Sequence, residues 1–241
     1  MKTAHNTVLI TGGTSGIGLA LARRFLHEGN AVIVTGTNAQ KAEAVKSLLP
    51  TITVELADMR DRLALDKLVY NYPDVNILIN NAGVQYNYDF ADPAIAVEQI
   101  ETELDINLLS PLYLTKRFLP QLLNHPTAAI INVSSGLGIV PKQSAPVYCA
   151  SKAALHSFTK TLRWQLEATS VRVFEIIPPL VDTAMTRGRG RGKIKPEALV
   201  EEFWHDFSQD RFEMRIGKTK LLFALGRFMP ILAERIMRPG I

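Results

Sequence analysis

Tyr148 and Lys152 lie four residues apart in the segment Tyr148-Cys-Ala-Ser-Lys152. A helix places such residues on one face, within mutual influence. A free tyrosine has a pKa of about 10, and a neighbouring ammonium lowers that pKa because it favours the phenolate. The pair therefore predicts acid/base chemistry, with Tyr148 donating a proton to an alkoxide or abstracting one from an alcohol. Without other motifs, an exposed pair on a surface helix would be the simpler interpretation.

A glycine-rich segment near the N-terminus has the pattern of a phosphate-binding turn. Thr11-Gly-Gly-Thr-Ser-Gly-Ile-Gly18 follows an apolar run and leads into an amphipathic stretch. Its glycines allow a tight turn close to a pyrophosphate, and the following helix offers free N–H groups and a positive dipole end. Alone, the cluster could be a flexible turn. The order strand, turn and helix predicts a dinucleotide site contacted by Gly12, Thr14, Ser15, Gly16, Ile17 and Gly18.

Apolar runs alternate with amphipathic stretches along the chain, which is the pattern of a parallel sheet covered by helices. Right-handed crossovers predict one α/β domain over residues 1–241, a doubly wound parallel sheet (Rossmann fold) with helices on both faces. The predicted strands are Thr7–Ile10, Ala31–Val34, Thr51–Leu56, Ile77–Ile79, Ala129–Val133, Val171–Ile177 and a short Glu213–Ile216. The predicted helices are Gly18–Glu28, Gln40–Leu49, Arg60–Tyr70, Val97–Leu119 and Val147–Leu166.

Three further motifs follow in a fixed order. Asn80-Asn-Ala-Gly83 comes after the fourth strand, Asp105-Ile-Asn-Leu108 lies on the next helix, and Ile131-Asn-Val-Ser-Ser135 ends the fifth strand. Together with the glycine-rich turn and the tyrosine–lysine pair, these motifs make the chain resemble the short-chain dehydrogenase/reductase family. The resemblance implies an NAD(P)-dependent oxidoreductase that interconverts carbonyls and alcohols, usually as a homodimer or homotetramer.

The resemblance also implies roles for single residues. The family's serine lies thirteen residues before its tyrosine, so Ser135 would bind the substrate oxygen. Lys152 would also bind the nicotinamide ribose. Asn107 matches the asparagine that kinks its helix and holds a water between Lys152 and solvent, although a helix-ending hydrogen bond also fits. Tyr148 and Lys152 would contact the cofactor too, and the remaining expected contacts are Thr37, Asn38, Asp58, Met59, Asn81, Ala82, Gly83, Pro178, Val181 and Thr183.

The end of the second strand bears on the choice between cofactors. An acidic residue there selects NAD and an arginine selects NADP, but this chain reads Thr35-Gly-Thr-Asn38. Gly36 removes the carboxylate that would repel a phosphate, Thr37 and Asn38 can donate hydrogen bonds, and Lys41 adds charge. Ser15 stands where NADP-using members often carry a basic residue. These features favour NADP(H) slightly over NAD(H).

The composition bears on the cellular location of the protein and on whether it binds a metal. The chain has 241 residues, 47% of them hydrophobic, and a net charge of +4. Its one cysteine, Cys149, cannot form an intramolecular disulfide, so a reducing, cytoplasmic location is expected and we assign the thiol no chemistry. No run is apolar and long enough for membrane insertion. No spacing suggests a metal site. His156 is interpreted as a helix-packing or subunit-interface residue.

Two C-terminal segments have alternative interpretations. Residues 184–208 are expected to form a substrate-side loop and helix in which Arg187–Lys195 packs five cations into nine residues. Nucleic acid or an anionic substrate could bind there, but no aromatic residues interleave, so a mobile, solvated loop without nucleic acid is favoured. Residues 218–238 read as one amphipathic helix that packs on protein in preference to a membrane surface.

The substrate is predicted to be a small, mainly apolar ketone or secondary alcohol. The expected pocket wall comes from residues 84–90, residues 136–147 and the segment after Val181. It includes Tyr86, Leu137, Ile139, Val140, Phe203 and Trp204. A 3-oxoacyl thioester on an acyl-carrier protein is an alternative, and so is a non-catalytic nucleotide sensor. Pro178-Pro179, where most members have proline-glycine, and the tail resemble a subgroup related to the oxidoreductase found with lipoteichoic-acid D-alanylation genes.

Overall fold

The computed structural model describes residues 1–240 and is built on a sheet of seven parallel strands. In space the strands follow the order β3-β2-β1-β4-β5-β6-β7. The order reverses between β1 and β4, and ligands of such sheets bind in the crevice at this switch point, beyond the carboxyl ends of the strands. The strands are β1 (Thr7–Ile10), β2 (Ala31–Gly36), β3 (Thr53–Leu56), β4 (Ile77–Asn80), β5 (Ala128–Val133), β6 (Val171–Ile177) and β7 (Glu213–Arg215).

Helices cover both faces of the sheet. Two of them begin at side-chain caps, since Asn38 accepts a hydrogen bond from the Lys41 amide and Asp61 accepts from the Leu63 amide. The helices are α1 (Gly16–His27), α2 (Ala39–Leu48), α3 (Arg62–Asn71), α4 (Val97–Leu104), α5 (Ser110–Asn124), α6 (Pro146–Gln165), α7 (Pro196–Ser208), α8 (Thr219–Phe228) and α9 (Pro230–Met237).

A hydrophobic core lies on each face of the sheet. On one face Phe25 of α1 packs against Phe203 and Phe207 of α7. On the other face Phe118 of α5 and Leu162 of α6 belong to a second core cluster. Because both faces are covered, the inner strands carry nearly continuous apolar runs, and the prediction of a doubly wound Rossmann-type domain is confirmed.

Two predicted helices differ from the observed ones. The helix expected over Val97–Leu119 is divided by a π-helical turn at Asp105–Leu109, which separates α4 from α5. Two helices, α8 and α9, replace the single helix expected over residues 218–238. Pro230 lacks an amide hydrogen and its ring clashes with a preceding carbonyl, so a helix cannot run through it undisturbed.

Residues 1–240 contain neither a membrane-spanning helix nor a cluster of metal-binding side chains. No helix there is both long and apolar enough to cross a bilayer. No group of three or more histidine, cysteine, aspartate or glutamate side chains there is arranged to hold a metal ion.

Candidate active site

The glycine-rich turn is fixed against the end of the neighbouring strand. Gly12 has a φ of 64°, and a Cβ atom there would lie 2.9 Å from the Cα atom of Ala82. The Asn81 amide group donates to the carbonyl oxygens of Thr11 at 2.8 Å and Gly12 at 3.2 Å. The Gly12 amide donates to the Thr35 hydroxyl at 3.2 Å. The turn after β1 therefore requires glycine and is tied to both β4 and β2.

A cavity of about 580 Å³ opens at the carboxyl ends of the strands. Gly18, the one predicted cofactor contact that does not border it, lies where a Cβ atom would come within 2.6 Å of the Gly12 carbonyl oxygen. A nucleotide cofactor thus fits the backbone around this turn. The predicted cofactor residues on the cavity wall are Gly12, Thr14, Ser15, Gly16, Ile17, Thr37, Asn38, Asp58, Met59, Asn81, Ala82, Gly83, Tyr148, Lys152, Pro178, Val181 and Thr183.

At the end of β2, Thr37 and Asn38 are exposed and border the cavity beside Lys41. A Cβ atom at Gly36 would come within 2.6 Å of the Thr14 side chain, so a carboxylate introduced at Gly36 would also displace Thr14. After β3, Asp58 forms an ion pair of 2.7 Å with Arg60, whose hydrogen bonds hold the pKa of that carboxyl below its usual value. These side chains form one end of the cavity.

Tyr148 and Lys152 lie on the buried face of α6 at the middle of the cavity. The Tyr148 side chain is almost fully buried, and burial raises the pKa of its phenol to about 12, against the opposing effect of a hydrogen bond to Ser135. The Lys152 Nζ atom lies 5.9 Å from the centre of the tyrosine ring and donates to the Val133 carbonyl oxygen at 2.8 Å. Burial lowers the pKa of Lys152 to about 8.

The electrostatics of this pair therefore differ from those deduced from its spacing. The helix does bring Tyr148 and Lys152 to one face, but the largest effect on the pKa of Tyr148 is burial, which acts in the opposite direction to the expected one. Desolvation disfavours the charged form of both groups. In the structure, the neutral phenol is a proton donor and the lysine is a weaker base than usual.

Ser135 and Ser134 have different surroundings at the end of β5. The Ser135 hydroxyl accepts a hydrogen bond from the Leu137 amide at 3.1 Å and caps a short 3₁₀ turn at Gly136–Gly138. That turn holds Ser135 on the cavity wall beside Tyr148. The Ser134 hydroxyl donates to the Ile176 carbonyl oxygen of β6 at 3.4 Å, so its hydrogen bond is made within the sheet.

Asn107 lies on the π-helical turn and fastens the loop after β4. Its side chain donates to the Val84 carbonyl oxygen at 2.8 Å and accepts from the Val84 amide at 2.9 Å. A Cβ atom at Gly83 would lie 3.1 Å from the Asn107 Oδ1 atom and 3.7 Å from the Lys152 Nζ atom. Asn107 is thus close to Lys152 but does not border the cavity, and its hydrogen bonds position the wall that does.

A buried acid behind α6 was not identified from the sequence. Glu175 is fully buried on β6, and the His156 Nδ1 atom lies 2.9 Å from each of its carboxylate oxygens. This hydrogen bond raises the pKa of His156, and the charge of Glu175 partly offsets the effect of burial on the pKa of Lys152. The available signal was an acidic residue within the apolar run Val171–Ile177.

The far end of the cavity is built differently from the prediction. Phe203 and Trp204 belong to the core, where their ring centres lie 6.2 and 5.0 Å from that of Phe25, because α7 packs on α1. Of the other expected wall residues, Leu137 borders the cavity, whereas Tyr86, Ile139 and Val140 do not. The apolar wall comes mainly from α8 and α9, through Leu221, Leu222, Leu225, Ile236 and Met237.

Part of the arginine-rich loop packs on the domain, whereas Arg187, Arg191 and Lys195 are exposed, as expected for a solvated loop. Val181 and Ile194 form a parallel β-bridge, and the Lys193 ammonium donates to the Thr186 carbonyl oxygen at 2.6 Å. The Arg189 guanidinium donates to the carbonyl oxygen of Gln85, another residue of the cavity wall, at 3.3 and 3.4 Å. Arg189 and Arg191 both border the cavity.

Comparisons with known proteins agree with this architecture. Residues 6–193 match the family model described as short chain dehydrogenase. The oxidoreductase DltE of Bacillus subtilis (strain 168) is 44% identical over 225 residues, which cover 89% of each chain. The NADP-dependent 3-hydroxy acid dehydrogenase YdfG of Salmonella typhi is 37% identical over 217 residues, covering 82% of this chain and 87% of the relative.

A solved structure extends the agreement to nearly the whole chain. The structure is that of a short chain dehydrogenase from Burkholderia cenocepacia J2315 in complex with NADP. It matches with a TM-score of 0.89 at 25% identity and covers 99% of this chain and 100% of its own. The family resemblance predicted from the motifs is confirmed. The chain belongs to the short-chain dehydrogenase/reductase family and is an NAD(P)-dependent oxidoreductase.

Proposed function

We propose that the protein transfers a hydride between NADP(H) and a small ketone or secondary alcohol with mainly apolar substituents. Tyr148 is the acid/base, Ser135 orients the substrate oxygen, and Lys152 and Asn107 support the tyrosine. One observation carries this proposal: Tyr148, Lys152 and Ser135 meet on the wall of the same cavity as the glycine-rich turn. That cavity continues to the apolar side chains of α8 and α9.

The proposed chemistry assigns one task to each side chain. The nicotinamide, when bound, supplies the hydride in reduction or accepts it in oxidation. In reduction the Tyr148 phenol protonates the oxygen that becomes the alcohol, and burial favours this role because it keeps the phenol neutral. The Ser135 hydroxyl binds the same oxygen while negative charge develops on it. Lys152 stabilises the phenolate that remains, which its charge can do when the amine is protonated.

The preference for NADP(H) rests on the end of β2. Thr37, Asn38 and Lys41 border the cavity there, and none carries the carboxylate that would repel a ribose phosphate. Asn38 uses its Oδ1 atom to cap α2, so its amide nitrogen is the group available to an anion. Relatives from Salmonella typhi and Burkholderia cenocepacia are described with NADP, whereas a protein of the same fold from Burkholderia phymatum is described in complex with NAD. The preference therefore rests on the residues at the end of β2.

The test is a turnover screen with NADPH and NADH against ketones, ketoesters and acyl thioesters. We expect turnover of ketones to fall by about 10²-fold or more in Tyr148→Phe, while cofactor affinity is retained, since only the phenolic hydroxyl group is lost. Cys149→Ala is the matched control, because this buried neighbour on α6 has no proposed role. Turnover of Tyr148→Phe within about threefold of the parent would contradict the assignment.

The same screen separates the alternatives. Faster turnover of a carrier-bound 3-oxoacyl thioester than of any free ketone would favour the acyl-carrier reaction. Tight NADPH binding without turnover of any carbonyl compound would favour a nucleotide sensor.

A further inference from the structure

We infer that the substrate carries a carboxylate, which Arg189 and Lys142 bind on the cavity wall while its apolar part lies against α8 and α9. This inference rests on the proposed function, because it specifies the substrate class of the same cavity. It also replaces the expectation of a neutral substrate.

Four cations from three parts of the chain border the cavity outside the cofactor end. Arg189 and Arg191 belong to the loop after β6, Lys142 to the segment before α6, and Lys218 directly precedes α8. The acid on the cavity wall, Asp58, lies at the cofactor end and is paired with Arg60. The substrate end is therefore positively charged, and a charged cavity concentrates ligands of opposite charge.

Two of these cations, Lys142 and Arg189, have neutral partners within residues 1–240. The Lys142 ammonium donates to the Asn87 side-chain oxygen at 3.1 Å, and Arg189 donates to the Gln85 carbonyl oxygen. In the same loop, Lys193 instead forms an ion pair with Asp182 at 3.5 Å. The buried acid Glu103 is engaged with the Tyr86 amide at 3.1 Å. Lys193 is thus paired with an acid, whereas Lys142 and Arg189 have no acidic partner within residues 1–240.

Lys142 and Arg189 are close enough to affect each other. The Gln85 side chain donates to the Asn87 side-chain oxygen at 3.0 Å, so the partners of Arg189 and Lys142 are themselves hydrogen-bonded to each other. Burial lowers the pKa of Lys142, and the charge of Arg189 lowers it further. Holding two like charges near a partly buried wall is unfavourable, and an anion between them would relieve the repulsion. A guanidinium binds the two oxygens of a carboxylate side by side, and an ammonium adds a point charge.

Another part of the cavity wall is apolar, so a ligand that fills the substrate end has two parts. Leu222 and Leu225 of α8 and Met237 of α9 pack into one cluster with Val140 and also border the cavity. A hydrocarbon chain placed there loses water from its surface and gains stability. An oxo or hydroxy acid with an aliphatic chain matches both walls and presents a carbonyl or hydroxyl group to Tyr148 and Ser135.

The experiment compares ligands that differ only in charge. Calorimetry with the NADPH-loaded protein measures binding of octanoate and of octanamide. Turnover with NADP⁺ is measured for hydroxyoctanoates with the hydroxyl at successive carbons and for the matching amides. Both measurements are made on the parent, on Arg189→Gln and on Arg187→Gln, an exposed arginine of the same loop that does not border the cavity.

We expect the parent to prefer the acid in both measurements. Arg189→Gln should weaken acid binding and lower kcat/KM for the acid by roughly tenfold to a hundredfold, because a hydrogen bond to a charged group is lost. Its values for the amide should stay within about twofold, and Arg187→Gln should resemble the parent with every ligand. The loss should shrink as salt rises.

Three outcomes overturn the inference. One is equal treatment of acid and amide by the parent, and another is an equal loss for both ligands in Arg189→Gln. The third is a loss confined to NADPH affinity, which would assign the cations to the cofactor. Failure of the proposed function looks different: octanoate binding would depend on Arg189 while no hydroxy compound is turned over. In that case the anion site stands and the reaction does not.

Discussion

Backbone atoms form most of the cofactor end of the cavity, whereas side chains form most of the substrate end. The cofactor end is made by backbone: a glycine turn after β1 and the ends of β2 and β4, joined by hydrogen bonds such as that from Asn81 to Thr11. The substrate end is made by side chains on the loop after β6 and on α8 and α9. There Leu221 is 64% exposed although it borders the cavity.

The two ends of the cavity therefore differ in how many amino-acid substitutions they tolerate. A backbone turn that requires glycine tolerates few substitutions, since an added Cβ atom meets neighbouring backbone. Side chains on a peripheral helix can change size or charge without disturbing the sheet. Within one fold, the cofactor end therefore preserves the reaction and the substrate end adapts the specificity.

At the cofactor end, we expect the largest effect from the pH dependence of activity, because Lys152 loses its charge as pH rises. Burial lowers its pKa to about 8, so the ammonium is present below that pH and is lost as pH rises through it. We expect kcat/KM for ketone reduction, measured with saturating cofactor, to fall by about tenfold for each pH unit above about 8. Tyr148, with a pKa of about 12, does not titrate in this range. A profile that stays flat to about pH 10 would contradict the role given to Lys152.

Gly12→Ala sharpens the comparison by placing one methyl group in the glycine turn. The left-handed backbone and the contact with Ala82 should together weaken cofactor binding by about 1–3 kcal/mol, measured as a dissociation constant. Gly29→Ala is the matched control, because Gly29 has a φ of 78° but no atom within 4 Å of an added Cβ. It shares the backbone strain and lies away from the cavity. Equal weakening in both variants would show that the close approach to Ala82 does not matter.

Lys41→Glu should have the smallest of these effects. Lys41 is exposed, so its interaction with a ribose phosphate is partly screened and amounts to about 0.5–1 kcal/mol. The reversal of charge should raise the KM for NADPH severalfold and leave that for NADH nearly unchanged. This position is preferable to Gly36, where a new side chain would also strike Thr14. An equal effect on both cofactors would remove Lys41 from the phosphate site.

The residues of the cofactor end could be predicted from the sequence because local sequence patterns determine their positions. The strand–turn–helix order, the motif after β4 and the spacing from Ser135 to Tyr148 each act over short stretches of chain. Their predicted positions border a single cavity, with Gly18 and Asn107 just behind its wall. The catalytic and binding roles of these residues remain proposals, which the variants described above test.

The substrate end could not be predicted in the same way, since tertiary packing determines it. The apolar stripe of α7 gives no sign that Phe203 and Trp204 face Phe25 and not the pocket. Nor does the spacing of Tyr148 and Lys152 reveal that burial outweighs their mutual effect on pKa. The cations at Lys142 and Arg189 are 47 positions apart in sequence and meet only through the fold.

The π-helical turn at Asp105–Leu109 has a consequence for the whole segment from α4 to α5. Successive residues of an α-helix are rotated by about 100° about its axis. One extra residue in a turn therefore rotates the helix that follows by about that angle. α4 can therefore face α6 while α5 faces β4, β5 and α3. A single helical wheel cannot represent residues 97–124, since the two halves are out of phase. Deleting Leu108 would restore a regular helix, and it would turn one half away from its neighbours.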